Sequence, residues 1–229
     1  MRISIVIPAL NEEPVIEGRI TQLLERGGGL LREVIVADGR SRDGTVDAAR
    51  RAGATVVECS EAGRALQMNE GALRAGGEVL LFLHADTELP EGYAERIMAT
   101  LNSGADAGCF RLRFDSKHPL LRLYAWFTRF DFDLFRFGDQ SLFVRAGVFR
   151  KTGGFRVDHR VMEDQEMVRR LRRQGTFSVE SDEVTTSARN YMKNGVVRLQ
   201  LIFALILLLY YAGARQETLV HLYQNLIKQ

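Results

Sequence analysis

The feature that most restricts this chain is an alternation in its first ninety residues, where short apolar runs take turns with amphipathic stretches. Runs of β-branched residues and leucine lie at 3–7, 33–37, 55–58 and 79–84. Stretches with helix caps and apolar repeats separate them at 14–25, 45–52 and 62–74. The runs are continuously apolar rather than alternating, which fits strands buried on both faces of a parallel sheet with covering helices. Crossovers between parallel strands are right-handed, so the strand C-termini gather along one edge. In open sheets of this kind the ligand crevice lies outside that edge. Three polar clusters fall there: Pro8-Ala9-Leu10-Asn11-Glu12-Glu13, Asp38-Gly39-Arg40-Ser41-Arg42-Asp43-Gly44-Thr45, and His84-Ala85-Asp86-Thr87. Their convergence predicts a binding site.

From about residue 104 the pattern changes. A strand is expected at 107–114, an aromatic-rich helix at 120–135, a strand at 141–145 and a helix at 162–174. Gly138-Asp139-Gln140 and Gly153-Gly154-Phe155 punctuate this half. The last helix opens with acids and closes with Arg172, Arg173 and Gly175, which complements its dipole. No linker or repeat interrupts the pattern, so one domain is expected over 1–195, with a helical extension over 196–229.

Residues 201–214 contain no charge. As a helix they reach about 21 Å, short of the roughly 30 Å of a bilayer core, so a spanning helix is not expected. Two readings stay open. The helix packs against the domain or a partner chain, as in a homodimer through 199–214. Alternatively it lies in the inner-membrane interface, flanked by Arg189, Lys193, Arg198 and Arg215.

A chain that is 46% hydrophobic and 26% charged is not disordered. Its net charge of +2 hides a bias toward Arg, with many of them between Arg111 and Arg173. That suits phosphates, a membrane surface or a solvated basic face, and is too weak to imply nucleic acid. Cys59 and Cys109 stand alone without zinc-site spacing, as two buried thiols would. The run at 3–7 is broken by Ser4 and ended by Pro8, so it reads as a first strand rather than a secretion signal, in a cytoplasmic protein.

The chemistry concentrates at the strand ends. Asp38 sits where the base or ribose of a ligand would lie and can accept from a ring N–H or a hydroxyl, while Asp43 and Thr45 suit capping of the next helix. Asp86 ends a strand of Val, Leu and Phe, where an unpaired carboxylate is costly. A hard divalent ion bridging phosphate oxygens would pair with it, the plainer use being a helix cap before Pro90. His84 is either a ligand or a locally bonded strand-end side chain. Met162-Glu163-Asp164-Gln165-Glu166 is by itself dipole compensation at a helix start.

Taken in order, these pieces resemble glycosyltransferase family 2, with its GT-A fold. The matching residues are Ser4-Ile5-Val6-Ile7-Pro8-Ala9-Leu10-Asn11-Glu12, Val36-Ala37-Asp38-Gly39 with Asp43-Gly44-Thr45, and Gly63-Arg64-Ala65 with Gln67-Met68-Asn69 and Gly71. They continue through Leu83-His84-Ala85-Asp86-Thr87, Gly138-Asp139-Gln140, Gly153-Gly154-Phe155 and Glu163-Asp164, covering roughly 3–175. The Gly-Asp-Gln and Met-Glu-Asp motifs are most similar to a small bacterial subgroup, some of whose members are linked to arsenosugar pathways.

The resemblance implies an α/β fold: a Rossmann-like, mostly parallel sheet with flanking helices, here followed by an apolar C-terminal helix. It implies an inverting transferase of the hexosyl class that uses a nucleotide-diphosphate sugar, UDP-sugar favoured, and a divalent cation, Mn or Mg. Pro8, Ala9, Asn11 and Glu12 would line the nucleotide pocket, with Asp38 and Gly39 at the base and Arg64 and Asn69 beside the phosphates. His84, Ala85 and Asp86 would form the donor-side motif, with Asp86 on the metal. Asp164 would be the general base, with Glu163 beside it, and Asp139 and Gln140 would face the acceptor. That acceptor is not specified by the sequence; a lipid-linked one would suit a membrane-bound helix. One departure is that the usual Asp-x-Asp motif begins here with His84.

Inversion needs one base, because a diphosphate leaves without the second carboxylate that a glycosidase requires. A nucleotidyltransferase would open with a Gly-rich, basic loop after the first strand, whereas this loop is acidic. The remaining alternative is a catalytically inactive GT-A-like binding or membrane-anchoring module. His84 and the apolar helix favour it; Asp86 and Asp164 together oppose it.

Overall fold

The computed structural model describes residues 1–228. Strands β1 (Ile3–Ala9), β2 (Leu31–Asp38), β3 (Thr55–Glu58) and β4 (Val79–Phe82) are separated by helices α1 (Glu13–Gly27), α2 (Thr45–Arg51) and α3 (Arg64–Arg74). The chain continues through β5 (Thr87–Glu88), α4 (Tyr93–Asn102), β6 (Ala107–Phe114), α5 (Pro119–Phe127), β7 (Phe143–Arg145) and α6 (Ala146–Thr152). It ends with α7 (Glu163–Gln174), β8 (Phe177–Thr186), α8 (Arg189–Asn194), α9 (Val196–Tyr211) and α10 (Gln216–Leu226).

The strands form one sheet in the order β3-β2-β1-β4-β7-β6-β8-β5. The first four are mutually parallel. β7 runs antiparallel to both β4 and β6, and β8 is parallel to β6. It follows that β1, β2, β3, β4, β6 and β8 all point one way. Their C-terminal ends share one edge with the entrance to β7.

The period of two along β1 shows why a run apolar on both faces was needed, with Ser4 as the polar exception. Ile3, Ile5 and Ile7 point into a layer with Ile16, Ile20 and Leu23 of α1 and Tyr93 and Ile97 of α4. Val6 points the other way, toward Met68 of α3, Phe149 of α6 and Met167 of α7. Each such side chain contributes about 1.5–3 kcal/mol when fully buried. β1 extends past its expected end to include Pro8 and Ala9. Its ladder with β4 stops at Val6, so Pro8 falls where β1 keeps only β2 as a neighbour and its missing N–H is tolerated.

The helix expected over 120–135 ends instead at Phe127, and 3₁₀ turns follow at Asp133–Phe135 and Gly138–Gln140. The reason is a buried cation. Arg136 is 1% exposed and donates to the carbonyls of Thr128 (2.6 Å), Phe130 and Phe132 (3.4 Å). The chain wraps around the guanidinium, and those carbonyls serve it instead of a helix. Strand β8 was not expected either; its sequence is polar and mostly half-exposed.

In the C-terminal region, Leu199, Ile202 and Ile206 of α9 pack with Leu219 and Ile227. Val161, Met162 and Tyr191 lie against this cluster. No helix among the described residues is long and apolar enough to cross a membrane.

Candidate active site

The loops after β1 and β2 are tied to each other. Asn11 adopts a left-handed conformation (φ 56°), its Oδ1 accepts from Arg42 N and its N–H donates to Ser41 Oγ, both at 2.9 Å. The Glu12 N–H donates to Thr45 Oγ1 at 2.9 Å, and Thr45 also bonds Asp43. Behind them Gln67, buried on α3, donates to the carbonyls of Ala9 and Ala37 at 2.8 Å and accepts from Gly63 N at 3.2 Å. A Cβ on Gly39 would press into the Gln67 amide at 2.9 Å, which accounts for the glycine there.

Asp38 ends β2 and is 3% exposed. Its Oδ2 accepts from the N–H groups of Arg40 and Ser41 at 2.9 Å, while its buried Oδ1 has no partner within the chain. Buried acceptors are rarely left unmet, so this oxygen is the natural receiver for a ligand N–H or hydroxyl.

The end of β4 carries two further groups. His84 Nδ1 lies 2.8 Å from Asp139 Oδ1, and its buried Nε2 has no partner within the chain. Burial and nearby Arg64 pull the imidazolium pKa down, but the Asp139 bond and charge together with Asp164 outweigh them and hold it above the usual histidine range. Against desolvation, the same bond holds Asp139 below the usual carboxylate range. Asp86 Oδ2 is 3.3 Å from Arg189 Nη2, and that guanidinium also pairs with Glu12 at 2.8 Å. Burial and Asp139 raise Asp86 above the usual range, with His84 and Arg189 opposing them. Ala85, between the two, is buried and offers its carbonyl to Arg19 at 3.4 Å.

The third group comes from α3 and α7. Arg64 Nη1 is 3.3 Å from Glu163 Oε1 and 4.0 Å from Asp164 Oδ2. Met162, in a left-handed conformation (φ 68°), turns the chain into α7 so that both acids face this point. Burial raises both acids; Asp164 raises Glu163 further, and Arg64 opposes the rise in each. Gly138 sits against the pair: a Cβ there would collide with Asp164 Oδ2 and crowd His84.

The structure thus brings Asn11, Glu12, Asp38, Arg64, His84, Asp86, Asp139, Glu163 and Asp164 to one edge. It gives two expected residues local tasks. Asn69 holds the backbone of Phe155 at both ends of its amide, 2.8 Å each, and so fixes the Gly153-Gly154-Phe155 turn. Gln140 is 1% exposed and closes its own turn through Phe137 N (2.9 Å) and Phe110 O (3.2 Å). Sequence reasoning missed Gln67 as a brace and Arg189 as a site cation. Arg189 follows β8, the strand whose pattern was not recognised; a strand there would have pointed to it.

A family model described as glycosyl transferase family 2 matches residues 4–155. Glucosyl-3-phosphoglycerate synthase of Mycobacterium tuberculosis (strain CDC 1551 / Oshkosh) is 34% identical over 92 residues, 37% of this chain and 28% of that protein. Succinoglycan biosynthesis protein ExoA of Rhizobium meliloti (strain 1021) is 33% identical over 115 residues, 45% of this chain and 34% of that protein. The chain therefore spans about a third or less of the curated relatives it matches.

Among solved structures, the Pyrobaculum calidifontis mannosyltransferase PcManGT, in complex with GDP-Man and Mn2+, aligns with a TM-score of 0.70 at 21% identity. That alignment covers 92% of this chain and 64% of the other. S. aureus TarS 1-349 in complex with UDP aligns with a TM-score of 0.67 at 17% identity, covering 82% and 60%. These share the fold, a mixed α/β sheet with flanking helices of the GT-A kind. On the family match over most of its sheet, the chain belongs to glycosyl transferase family 2.

Proposed function

We propose that this protein transfers a sugar, with inversion, from a nucleotide-diphosphate sugar to an acceptor hydroxyl, and that Asp164 is the general base. The observation that carries the reading is the placement of Asp164 beside Arg64, at the edge where Asp38 offers a free buried acceptor. In this reading Asp38 receives the base of the nucleotide, and Pro8, Ala9, Asn11, Glu12 and Gly39 frame it. UDP is the favoured nucleotide; TarS holds UDP, whereas the Pyrobaculum enzyme holds GDP-Man.

The acceptor oxygen forms its bond to the anomeric carbon from the face opposite the diphosphate. The bond from that carbon to the diphosphate oxygen breaks, and its electron pair leaves with the diphosphate. The acceptor proton passes to the Asp164 carboxylate. Arg64, half-exposed and reaching from Asp164, turns to the diphosphate and stabilises its growing charge. Glu163 holds the resting position of Arg64, and Asp139 orients the His84 ring through Nδ1.

A divalent cation fits this edge. Asp86 already attracts one cation, Arg189, which a metal would displace, and His84 Nε2, buried and unpartnered, could join it on giving up its proton. Among the described residues no cluster of three or more His, Cys, Asp or Glu is arranged to hold a metal alone, and a bound diphosphate would supply further oxygen ligands. When bound, Mn or Mg supplies charge neutralisation to the leaving group.

The test is thermal melting with uridine, guanosine, thymidine and cytidine diphosphates, each with and without manganese, alongside Asp86→Ala. Ligand at a hundred times its dissociation constant should stabilise by about 2.7 kcal/mol. A manganese-dependent shift with one nucleotide, lost in Asp86→Ala, is the expected result. Absence of any shift would overturn the donor assignment.

A further inference from the structure

Two exposed apolar strips lie outside the site described above. On α5, Leu123, Trp126 and Phe127 share one exposed helical face, Trp126 by 43%, and exposed Phe130 follows just past the helix end. On α9, Val197, Leu201, Leu205 and Leu208 do the same, Leu201 by 65% and Leu208 by 67%. The opposite face of α9 is the one that packs on the domain. An apolar surface of this extent marks an interaction site rather than ordinary surface.

The two helices that carry the strips are joined on their packed sides. Tyr191 bridges Tyr124 of α5 and Phe203 of α9, with ring centroids 6.5 and 6.1 Å apart. Gln165 links the far ends, accepting from the Tyr211 hydroxyl at 3.3 Å and donating to Leu134 O at 3.4 Å. The surface also borders the reaction centre. The excursion over 115–142 leaves β6 and enters β7 at the ligand edge, and exposed Phe137 adjoins Gly138, which sits against Asp164.

Charge chooses the occupant. Residues 116–130 contain Lys117, Arg122 and Arg129 and no acid, and 195–216 contain Arg198 and Arg215 and no acid. All five cations are exposed. The neighbouring Asp131 and Asp133 are both paired with Arg172. Arg129 lies over Trp126, 4.9 Å from the ring centroid, an arrangement with an apolar body and a cationic tip. A second copy meeting this surface about a two-fold axis would bring cations against cations. We propose that this face seats the protein on an anionic lipid bilayer, with the Trp126 and Leu201 strips in the headgroup boundary and the Arg side chains on lipid phosphates. That a membrane-borne hydroxyl then reaches Asp164 rests on the function proposed above; the seating itself does not.

The experiment is flotation of the full chain with phosphatidylcholine vesicles, with and without phosphatidylglycerol, at low and high salt. Wild type should float with the anionic vesicles at low salt and be released by high salt. Arg122→Ser with Arg129→Ser should weaken partitioning about fivefold for each cation removed. Leu201→Ser with Leu205→Ser, or Trp126→Ser with Phe130→Ser, should abolish flotation while leaving the melting transition and the response to nucleotide unchanged. Wild type that stays at the bottom with anionic vesicles, or flotation unaltered in the apolar variants, would overturn the proposal. So would wild type that sediments as a dimer and becomes a monomer in Leu201→Ser with Leu205→Ser. Loss of nucleotide response in wild type with flotation intact would instead count against the transferase reading alone.

Discussion

The wall of the candidate site that carries Asp38 and the wall that carries Asp164 are held by different kinds of bond. Around Asp38, short polar side chains bind backbone groups: Asn11 to Arg42, Asp38 to Arg40 and Ser41, and Gln67 to Ala9 and Ala37. Around Asp164, long charged side chains from distant elements meet one another: Arg64 with Glu163 and Asp164, Arg189 with Glu12 and Asp86, and His84 with Asp139. A neutral amide bonded to a carbonyl has little reason to change partner when a ligand arrives. A guanidinium shared between carboxylates does, because a diphosphate competes for it. Under the function proposed above, the first wall would be preorganised for recognition and the second arranged to redistribute charge.

Four measurements press on that difference. The largest effect is expected at the base: Asp164→Asn should lower transfer by about 10²- to 10⁴-fold, with nucleotide affinity by calorimetry nearly unchanged. Equal loss of both would mean that the two walls are not separable. Next, Gly138→Ala drives a methyl group at Asp164. It should lower kcat by about 10²-fold, since displacements near 1 Å have that effect, again with little change in nucleotide binding. On the other wall, Gln67→Ala removes the donor shared by the Ala9 and Ala37 carbonyls, Ala9 O keeping its bond from Gly39 N, and should cost about 1–2 kcal/mol in urea unfolding, weakening nucleotide binding with it.

The smallest effect is a pH shift. Burial raises Asp164 and Arg64 opposes the rise. The base works only when ionised, so the acid limb of kcat/KM should fall above the usual carboxylate range. Removing the opposing cation should move that limb to still higher pH in Arg64→Gln. A limb that stays put would show that Arg64 does not govern the base.

The two walls also differed in how far they could be read from the sequence. Asn11, Asp38 and Asp86 each follow an apolar run long enough to be recognised as a strand, and topology alone brings such positions together. Arg189 was hidden because β8 reads Phe-Ser-Val-Glu-Ser-Asp-Glu-Val-Thr-Thr, a polar strand near the sheet margin with little apolar periodicity. The break in the aromatic stretch was hidden for another reason. Residues 120–135 have a helical apolar pattern, and only the burial of Arg136 among backbone carbonyls reveals why the helix stops at Phe127. Local pattern reports burial well, and it is silent on a long side chain that crosses to another element. Asn69 and Gln140 make the same point in reverse, since motif position suggested ligand contact where the amides bind backbone instead.

The reversed strand β7 has a consequence for how such a protein diversifies. Because β6 ends and β7 begins at the same edge, the segment over 116–135 lies outside every ladder pairing of the sheet. Lengthening a loop is inexpensive, about 0.6 kcal/mol per doubling. Inheritance can therefore vary what this segment reaches while the sheet beneath it and Asp139 stay as they are; under the function proposed above, graft libraries confined to 116–135 are the place to look for new acceptors.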